Sequence, residues 1–426
     1  MNETVNTHKK MEELDRMSIP YEAIPPSEWK RNAYDSNNSV SIDTLCIFYK
    51  CARDLEKIIE EQEGDEKEVE EYIINLLSLI LTQKLHLIVY HDRWLYFFNG
   101  KYFEPCPSKQ ELQCILRELC EAAAYLWKRF SVHDKTVKRL LSHVQQNAVK
   151  VDYPPDISKY VVFENGVLNL DTLELEDFTP QKFFTSMIHA DWLAENKACP
   201  EYEKVINTYT NHEAPLNKRI NEVLGVCLTN DMVKKLFCFL GVTNSGKTFL
   251  LSFLLRLFNN SATVTMQPND LGRQFAPSMV YGKSLCCCMD MDSAPLNTKA
   301  TAFLKGISGA DMLSAEFKGE NGSVPFQSRA HIINASNYDI TTKMPDAAFD
   351  MRKLVIPFKY RLTDNAEPFE VLMDKLEREK AAIVRKLILA YKALKDNHYE
   401  FSDSEEGESY DSYVPPTAVS RSTSKS

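Results

Sequence analysis

The sequence predicts an α/β fold with a mixed, mostly α-helical domain in front of it. Three observations carry this. Residues 234–360 alternate short apolar runs with helix-length segments. One run, Leu236–Leu240, leads directly into a glycine-bearing turn and then an apolar helix candidate, Thr248–Phe258. Upstream, helical spacing dominates and is interrupted by two stretches rich in aromatic and β-branched residues.

The chain of 426 residues is 44% hydrophobic and 26% charged. That suffices for a sizeable core and excludes collagen-like, disulfide-stapled and wholly disordered classes. No run reaches about 18 apolar residues, so no membrane span is expected. The opening MNETVNTHKK lacks a signal-peptide centre, and a cytoplasmic protein (host cytoplasm, if virus- or phage-encoded) is the expectation. The net charge of −10 argues against a generally basic nucleic-acid coat. Residues 52–71 hold ten acids against three bases, and 398–412 hold six acids and no base. The remaining body is slightly basic, which leaves room for a local channel along a phosphate backbone. The eleven cysteines form no CxxC and no zinc-ribbon spacing. Cys286, Cys287 and Cys288 read as small residues of a buried strand in a reducing compartment.

In chain order, residues 1–40 are polar and read as a mobile lead-in. Residues 41–200 form an α+β accessory domain. Apolar residues recur at helical spacing from Leu45 to Ile80, broken by the acidic turn at Gly64. Residues 85–105 predict a hairpin turning at Asn99-Gly100, and Val161–Asp177 a second one turning at Asn165-Gly166. Residues 109–150 and 200–230 return to helical pattern. The domain carrying the chemistry spans 201–400 and ends in an amphipathic helix or helix pair over 367–394. The Ser-, Glu- and Asp-rich residues 401–426 predict a disordered tail.

The strongest signal is Gly241-Val242-Thr243-Asn244-Ser245-Gly246-Lys247-Thr248, which fits G-x-x-x-x-G-K-[ST]. Glycines let the backbone turn tightly and bring its N–H groups to phosphate oxygens. Lys247 supplies a point charge to the β/γ phosphates, and the Thr248 hydroxyl ligates Mg²⁺. Phe249 follows in the first turn of the helix, whose amino terminus favours an anion. ATP and Mg²⁺ are the cofactors this predicts. The alternative is a glycine-bearing turn before an ordinary core helix.

Such a site needs an acid at the end of a neighbouring strand. Leu285–Met289 followed by Asp290-Met291-Asp292 offers two, on one face of an extended chain. Either could hold the metal while the other polarises water. A solvated strand end with two ordinary acids is the other reading. His331–Asn337 is a third strand, whose terminal Asn337 could orient the lytic water or cap a turn. Arg352, just before the apolar run Leu354–Phe358, is a candidate arginine finger on a neighbouring subunit, or an ordinary surface arginine.

Taken in order, these segments resemble the superfamily 3 helicases found in phage, plasmid and poxvirus primase-helicases. Gly241–Thr248 resembles the family's first motif, with Asn244 in its G-x-x-N-x-G-K form. Asp290-Met-Asp292 resembles its E-x-E strand end, Phe303–Asp311 its K-x-L-T-G-G-D segment, Asn334-Ala-Ser-Asn337 its L-A-T-N, and Arg352–Phe358 its R-R-L-x-x-I-P-F. Upstream, Phe163–Asp171 and the aromatic hairpin at Asn99-Gly100 resemble the domain preceding these ATPases.

The resemblance implies a P-loop NTPase (AAA+-like) core. It also implies a homohexameric ring that hydrolyses ATP between subunits and moves 3′ to 5′ on single-stranded DNA, in the replication of a mobile element, phage or virus. The implied DNA-contacting hairpin is Phe317–Phe326, with Lys318 as the phosphate contact and Lys305 as a second candidate. Three departures stand out. Glu316 occupies a position that is often Arg in the family, Met351 replaces the first of two arginines, and the chain stops where many relatives carry a winged helix. Origin recognition would then fall to a partner, a separate primase or initiator. The region before 230 shows no D-x-D set, so priming by this chain is not expected. An initiator or loader that remodels DNA without processive unwinding, and a P-loop regulatory ATPase acting on proteins, remain alternatives.

Overall fold

The structure is a computed structural model. It describes residues 59–416, apart from 85, 91–93, 106–108, 128–130, 152–156, 268–269, 292, 319–321, 363–366 and 406–407. The lead-in 1–40, the first helical stretch up to residue 58, Asp292 and the tail beyond 416 therefore lie outside the described residues. The chain divides into two compact units. One holds the residues up to Pro155 together with Asp177–Thr185, and the other holds Asp156–Glu176 and Ser186 onward. The sequence suggested a boundary at residue 200 instead. Strands between 156 and 176 and the extended stretch that follows Ser186 pack with the second unit.

In the first unit, helix α1 (Glu66–Leu79) starts at a capping box. The Asp65 carboxylate accepts from the Lys67 and Glu68 amides at 2.9 Å, and the Glu68 carboxylate accepts from the Asp65 amide at 3.2 Å. Val69, Ile73, Ile74 and Leu77 form its buried stripe. After α1 come strands β1 (Ile88–Tyr90), β2 (Trp94–Phe98) and β3 (Phe103–Pro105), helices α2 (Lys109–Trp127) and α3 (Asp134–Asn147), and strand β4 (Val149–Val151). The sheet order is β3-β2-β1-β4, with only β4 parallel to its neighbour. The β2–β3 hairpin turns at Asn99-Gly100 as the sequence indicates. The Asn99 side-chain oxygen accepts from the Lys101 and Tyr102 amides, and Gly100 takes φ +97°.

The second unit opens with the antiparallel strands β5 (Tyr160–Phe163), β6 (Gly166–Asn169) and β7 (Leu175–Glu176). Phe163 pairs with Gly166, so the tight turn is Glu164-Asn165, one residue earlier than expected. Gly166, at φ +152°, is the residue that re-enters the ladder. Helices α4 (Pro200–Thr210) and α5 (Ala214–Cys227) follow.

Next come β8 (Leu236–Gly241), α6 (Lys247–Arg256), β9 (Thr263–Met266), α7 (Ala276–Val280), β10 (Leu285–Met291) and α8 (Thr298–Ser308). The hairpin β11 (Met312–Glu316) and β12 (Ser323–Gln327) precedes β13 (His331–Ser336), α9 (Ala347–Asp350) and β14 (Lys353–Phe358). The 28-residue α10 (Phe369–Asp396) is one helix, not a pair. Five of these strands form an all-parallel sheet in the order β14-β8-β13-β10-β9. Both faces are covered, which is why β8, Leu285–Met289 of β10 and Leu354–Phe358 of β14 read as unbroken apolar runs. Phe237, Phe239, Ile333 and Ile356 face a core shared with α4, α5, α6 and α10. Cys238, Cys286, Cys288 and Ile332 face the opposite core, shared with α8. The cysteines of the described residues are free thiols.

The predicted disordered tail is overturned for 401–405 and 408–416. Arg219 of α5, 1% exposed, donates to the carbonyls of Val355 (2.9 Å) and Ser402 (2.8 Å) and pairs with Asp411. Asp411 also accepts from the Val355 amide at 2.8 Å, and Tyr410 is buried. The segment thus satisfies backbone groups on the outer edge of β14, an edge strand that would otherwise stay open. An acidic composition signals disorder only when no buried cation awaits the acids.

Candidate functional site

The site is assembled at the carboxyl ends of β8, β13 and β10, where ligand crevices of open parallel sheets form. β8 delivers Gly241 against the end of β14. The Val242 amide donates to the Phe358 carbonyl at 3.0 Å, and a Cβ on Gly241 would collide with that same oxygen. The chain then passes through Asn244 (φ +56°) and Gly246 (φ +93°) before α6 begins. A Cβ on Gly246 would run into the Tyr209 ring, so glycine is required there by both conformation and space. The Ser245 hydroxyl braces the loop by donating to the Val242 carbonyl at 2.8 Å.

Lys247, 7% exposed, lies at the floor of the loop. Its ammonium donates to the carbonyls of Gly241 (3.2 Å) and Val242 (2.7 Å), to the Ser245 hydroxyl (3.1 Å) and to the side-chain oxygen of Asn337 (3.0 Å). The structure therefore brings together two residues 90 positions apart that the sequence singled out. A cavity of about 740 Å³ opens above them. Its floor is lined by Thr243–Phe249, and Met291 of β10 and Ala335–Asn337 close one side.

Asp290 lies in the last turn-ward residues of β10, one position before Met291, and Asp292 is outside the described residues. The pairing of β10 with β13 shifts register between Cys288 and Met291, a bulge of the kind that re-aims side chains at strand ends. Among the described residues no group of three or more His, Cys, Asp or Glu gathers as a metal site.

Arg352 is placed elsewhere. It precedes β14, and its carbonyl accepts from the Leu236 amide at the amino-terminal edge of the sheet. One guanidinium nitrogen donates to the Ala348 carbonyl at 2.9 Å, while Nε is buried without a hydrogen-bond partner. Lys305 of α8 donates to Asp346 at 2.6 Å, and this lysine holds the Asp346 carboxyl below its ordinary range. Lys318 is exposed just past β11. The hairpin itself is Met312–Gln327, starting five residues before the expected Phe317, and part of its turn lies outside the described residues.

Among the lining residues that were not anticipated are Val205 and Tyr209 of α4, Leu362 from the connection after β14, and Phe369 and Leu372 of α10. The only sequence signal they carry is an ordinary apolar helix stripe. Nothing local distinguishes a stripe that packs from one that lines a cleft.

Together these features define an open parallel α/β protein with a glycine-loop crevice. Residues 78–211 match the family described as D5 N terminal like, and residues 239–352 match a family of unknown function, DUF5906. No curated protein matches the sequence. The fold is similar to the apo structure of the NrS-1 C-terminal region, at 13% identity and a TM-score of 0.50, over 78% of this chain and 76% of that one. A second, A-form apo structure of the same region gives 15% identity and a TM-score of 0.49, over 77% and 75%. With a D5 N-terminal-like segment ahead of the sheet, the chain resembles the superfamily 3 primase-helicases. Among the described residues, no helix is long and apolar enough to cross a membrane.

Proposed function

We propose that this protein is an ATP-dependent DNA helicase with a P-loop NTPase (AAA+-like) core, translocating on single-stranded DNA as a homohexameric ring in the replication of a mobile element, phage or virus. The observation that carries the proposal is Lys247, held at the crevice floor by four neutral oxygens and facing the cavity. A nearly buried ammonium at the floor of an open cavity offers charge-assisted hydrogen bonds to an anion entering above it. The amino end of α6 adds its unpaired N–H groups to the same place.

The residues fit a Mg-nucleotide. Thr248 is exposed in the cavity lining, and the end of β10 brings the Asp290 backbone to the adjoining strand. One hydroxyl and one carboxylate, with phosphate and water, suffice for a metal that keeps much of its hydration. Bound there, Mg²⁺ supplies charge neutralisation on the phosphate oxygens. Lys247 exchanges its loop carbonyls for phosphate oxygens, which frees the Asn337 amide to hold the attacking water. Asp290 or Asp292 takes that water's proton. Arg352 stands at the wrong end of the sheet for its own chain's crevice, which favours action on a neighbour's nucleotide. Lys318, on the exposed hairpin, holds the strand by its phosphates. Lys305 would reach DNA only by giving up Asp346. A separate primase or initiator supplies priming and origin recognition.

Lys247→Ala is expected to lower ATP turnover about 10²–10³-fold and abolish strand displacement on a forked substrate. Wild-type turnover should rise with single-stranded DNA, and particles with an ATP analogue and DNA should show a six-fold ring by electron microscopy. Turnover indifferent to DNA, or to Lys247→Ala, overturns the proposal. ATPase without strand displacement assigns the protein to initiators or loaders instead.

A further inference from the structure

The ends of β8, β13 and β10 lie side by side beneath the crevice, and one side chain joins them. Ser336 closes β13 and is 2% exposed. Its backbone pairs on one side with Leu240, just before the loop, and on the other with Met291 at the end of β10. Its hydroxyl donates to the Met291 carbonyl at 2.9 Å and accepts from the Tyr338 amide at 2.9 Å. The first bond crosses from β13 to β10. The second closes a short turn around Asn337, whose side-chain oxygen accepts from Lys247 at 3.0 Å.

The crossing bond falls where the ladder itself is irregular. Cys288 pairs with Asn334 and Met291 with Ser336, so three steps along β10 oppose two along β13. Met289 and Asp290 therefore share the single position opposite Ala335, as in a bulge, where regular pairing is interrupted. Met291 is the residue between Asp290 and Asp292. A hydroxyl bonded to the Met291 carbonyl fixes the backbone that carries both acids, at the point where pairing resumes. Packing alone does not ask for an alcohol here, since the preceding buried residue is Ala335. An alanine at 336 would leave the Met291 carbonyl and the Tyr338 amide without that hydroxyl.

We infer that Ser336 is a positioning residue for hydrolysis: its hydroxyl holds the acid-bearing end of β10 and the Asn337 turn in one register. The inference rests on the nucleotide reading of the loop and adds to it a residue that acts only through its neighbours. Loss of the hydroxyl slows turnover and weakens the response to Mg²⁺. Binding of the metal-free nucleotide persists, because Lys247 and the amino end of α6 do not depend on β10.

The test compares the full wild-type chain with Ser336→Ala, the near-isosteric Ser336→Cys, and Ser336→Thr, which keeps the hydroxyl. ATP turnover is measured at saturation. Calorimetry gives the affinity of a non-hydrolysable ATP analogue in EDTA and across a Mg²⁺ series, and urea midpoints allow turnover to be compared per folded chain. The alanine and cysteine variants should lower kcat about 10- to 100-fold, the upper figure being the cost of misplacing a reacting group by about 1 Å. They should need more Mg²⁺ to tighten the analogue, bind it in EDTA as wild type does, and be outpaced by Ser336→Thr. Unchanged kcat in the folded alanine and cysteine variants overturns the inference. So does a loss of metal-free affinity in step with kcat, the mark of a general loosening of the crevice, or a folded Ser336→Thr no faster than Ser336→Cys. Lys247→Ala separates the two readings. If it weakens metal-free binding while the Ser336 variants turn over as wild type does, Ser336 alone is misassigned. If it leaves that binding unchanged, the nucleotide reading fails and takes the inference with it.

Discussion

Two buried side chains at opposite ends of the central sheet, Lys247 at the start of α6 and His331 at the start of β13, show how a single residue ties fold to condition. Lys247 donates to two carbonyls, a hydroxyl and the Asn337 side-chain oxygen at the crevice floor. His331, 2% exposed at the start of β13, is kept neutral. Its Nε2 lies 3.1 Å from the Thr229 carbonyl, so that nitrogen carries the ring proton. Burial pushes its pKa down to about 4, against a partial pull upward from that carbonyl and from Asp231. The sign follows directly. Between the ordinary value of 6.5 and 4, the unfolded chain takes a proton that the folded chain refuses. Stability is therefore complete above that window and is lost as the pH falls through it, by about 3 kcal/mol in all. The carboxylates held low by lysines, Asp346 and Glu367 among them, lose their contribution only at more acid pH. The range between pH 7 and 5 thus isolates the imidazole. Urea midpoints should decline over that range in the wild type and stay flat in His331→Gln; equal slopes in both would remove His331 from the account.

At the scale of elements, the C-terminal segment is the clearest case of a structure that local sequence concealed. Arg219 is one residue of an amphipathic helix, and Asp411 one acid in an acidic run. Their pairing spans 192 positions, and no periodicity records it. Deleting residues 402–426 removes two of the three acceptors of a buried guanidinium and uncovers the β14 edge. The expected cost is about 3 kcal/mol, read as a lower urea midpoint, with a greater tendency to associate through the open edge. An unchanged midpoint would show the segment to be loosely attached. The helices and parallel strands, by contrast, were legible. Strand β8 is apolar until its closing Gly241, and the acidic turn at Gly64 does precede α1. The crevice was legible where chemistry demands fixed spacing, as in Gly241–Thr248, and at Asn337 because it ends a strand. Its apolar walls were not, since Tyr209 and Phe369 look like any core residues until α4 and α10 are brought beside the loop. The turn at Glu164-Asn165 falls one residue earlier than expected because pairing partners rather than the turn residues set the register.

For the whole molecule, the parallel register sets how far Arg352 lies from the loop of its own chain. Phe358 pairs with Gly241 at one end of the β14–β8 ladder and Lys353 with Leu236 at the other. Arg352 is therefore separated from the loop by the length of the strand, about 17 Å at the usual rise per residue. No rotamer of its own chain spans that distance and also turns into the crevice. Its Nε is buried without an acceptor, a costly arrangement within one chain. Both facts make sense if a second subunit presents its nucleotide to this edge. Arg352→Ala and Lys247→Ala should each depress ATP turnover when prepared alone, the arginine change by about 10³-fold or more if it acts as a finger. Mixed in equal amounts under conditions that allow subunit exchange, the two inactive variants should recover turnover well above either one. In the mixed assembly some crevices combine an intact lysine from one chain with an intact arginine from the next. An arginine that worked within its own chain, or one that only supported the α9–β14 corner, would leave the mixture no more active than the sum of its parts.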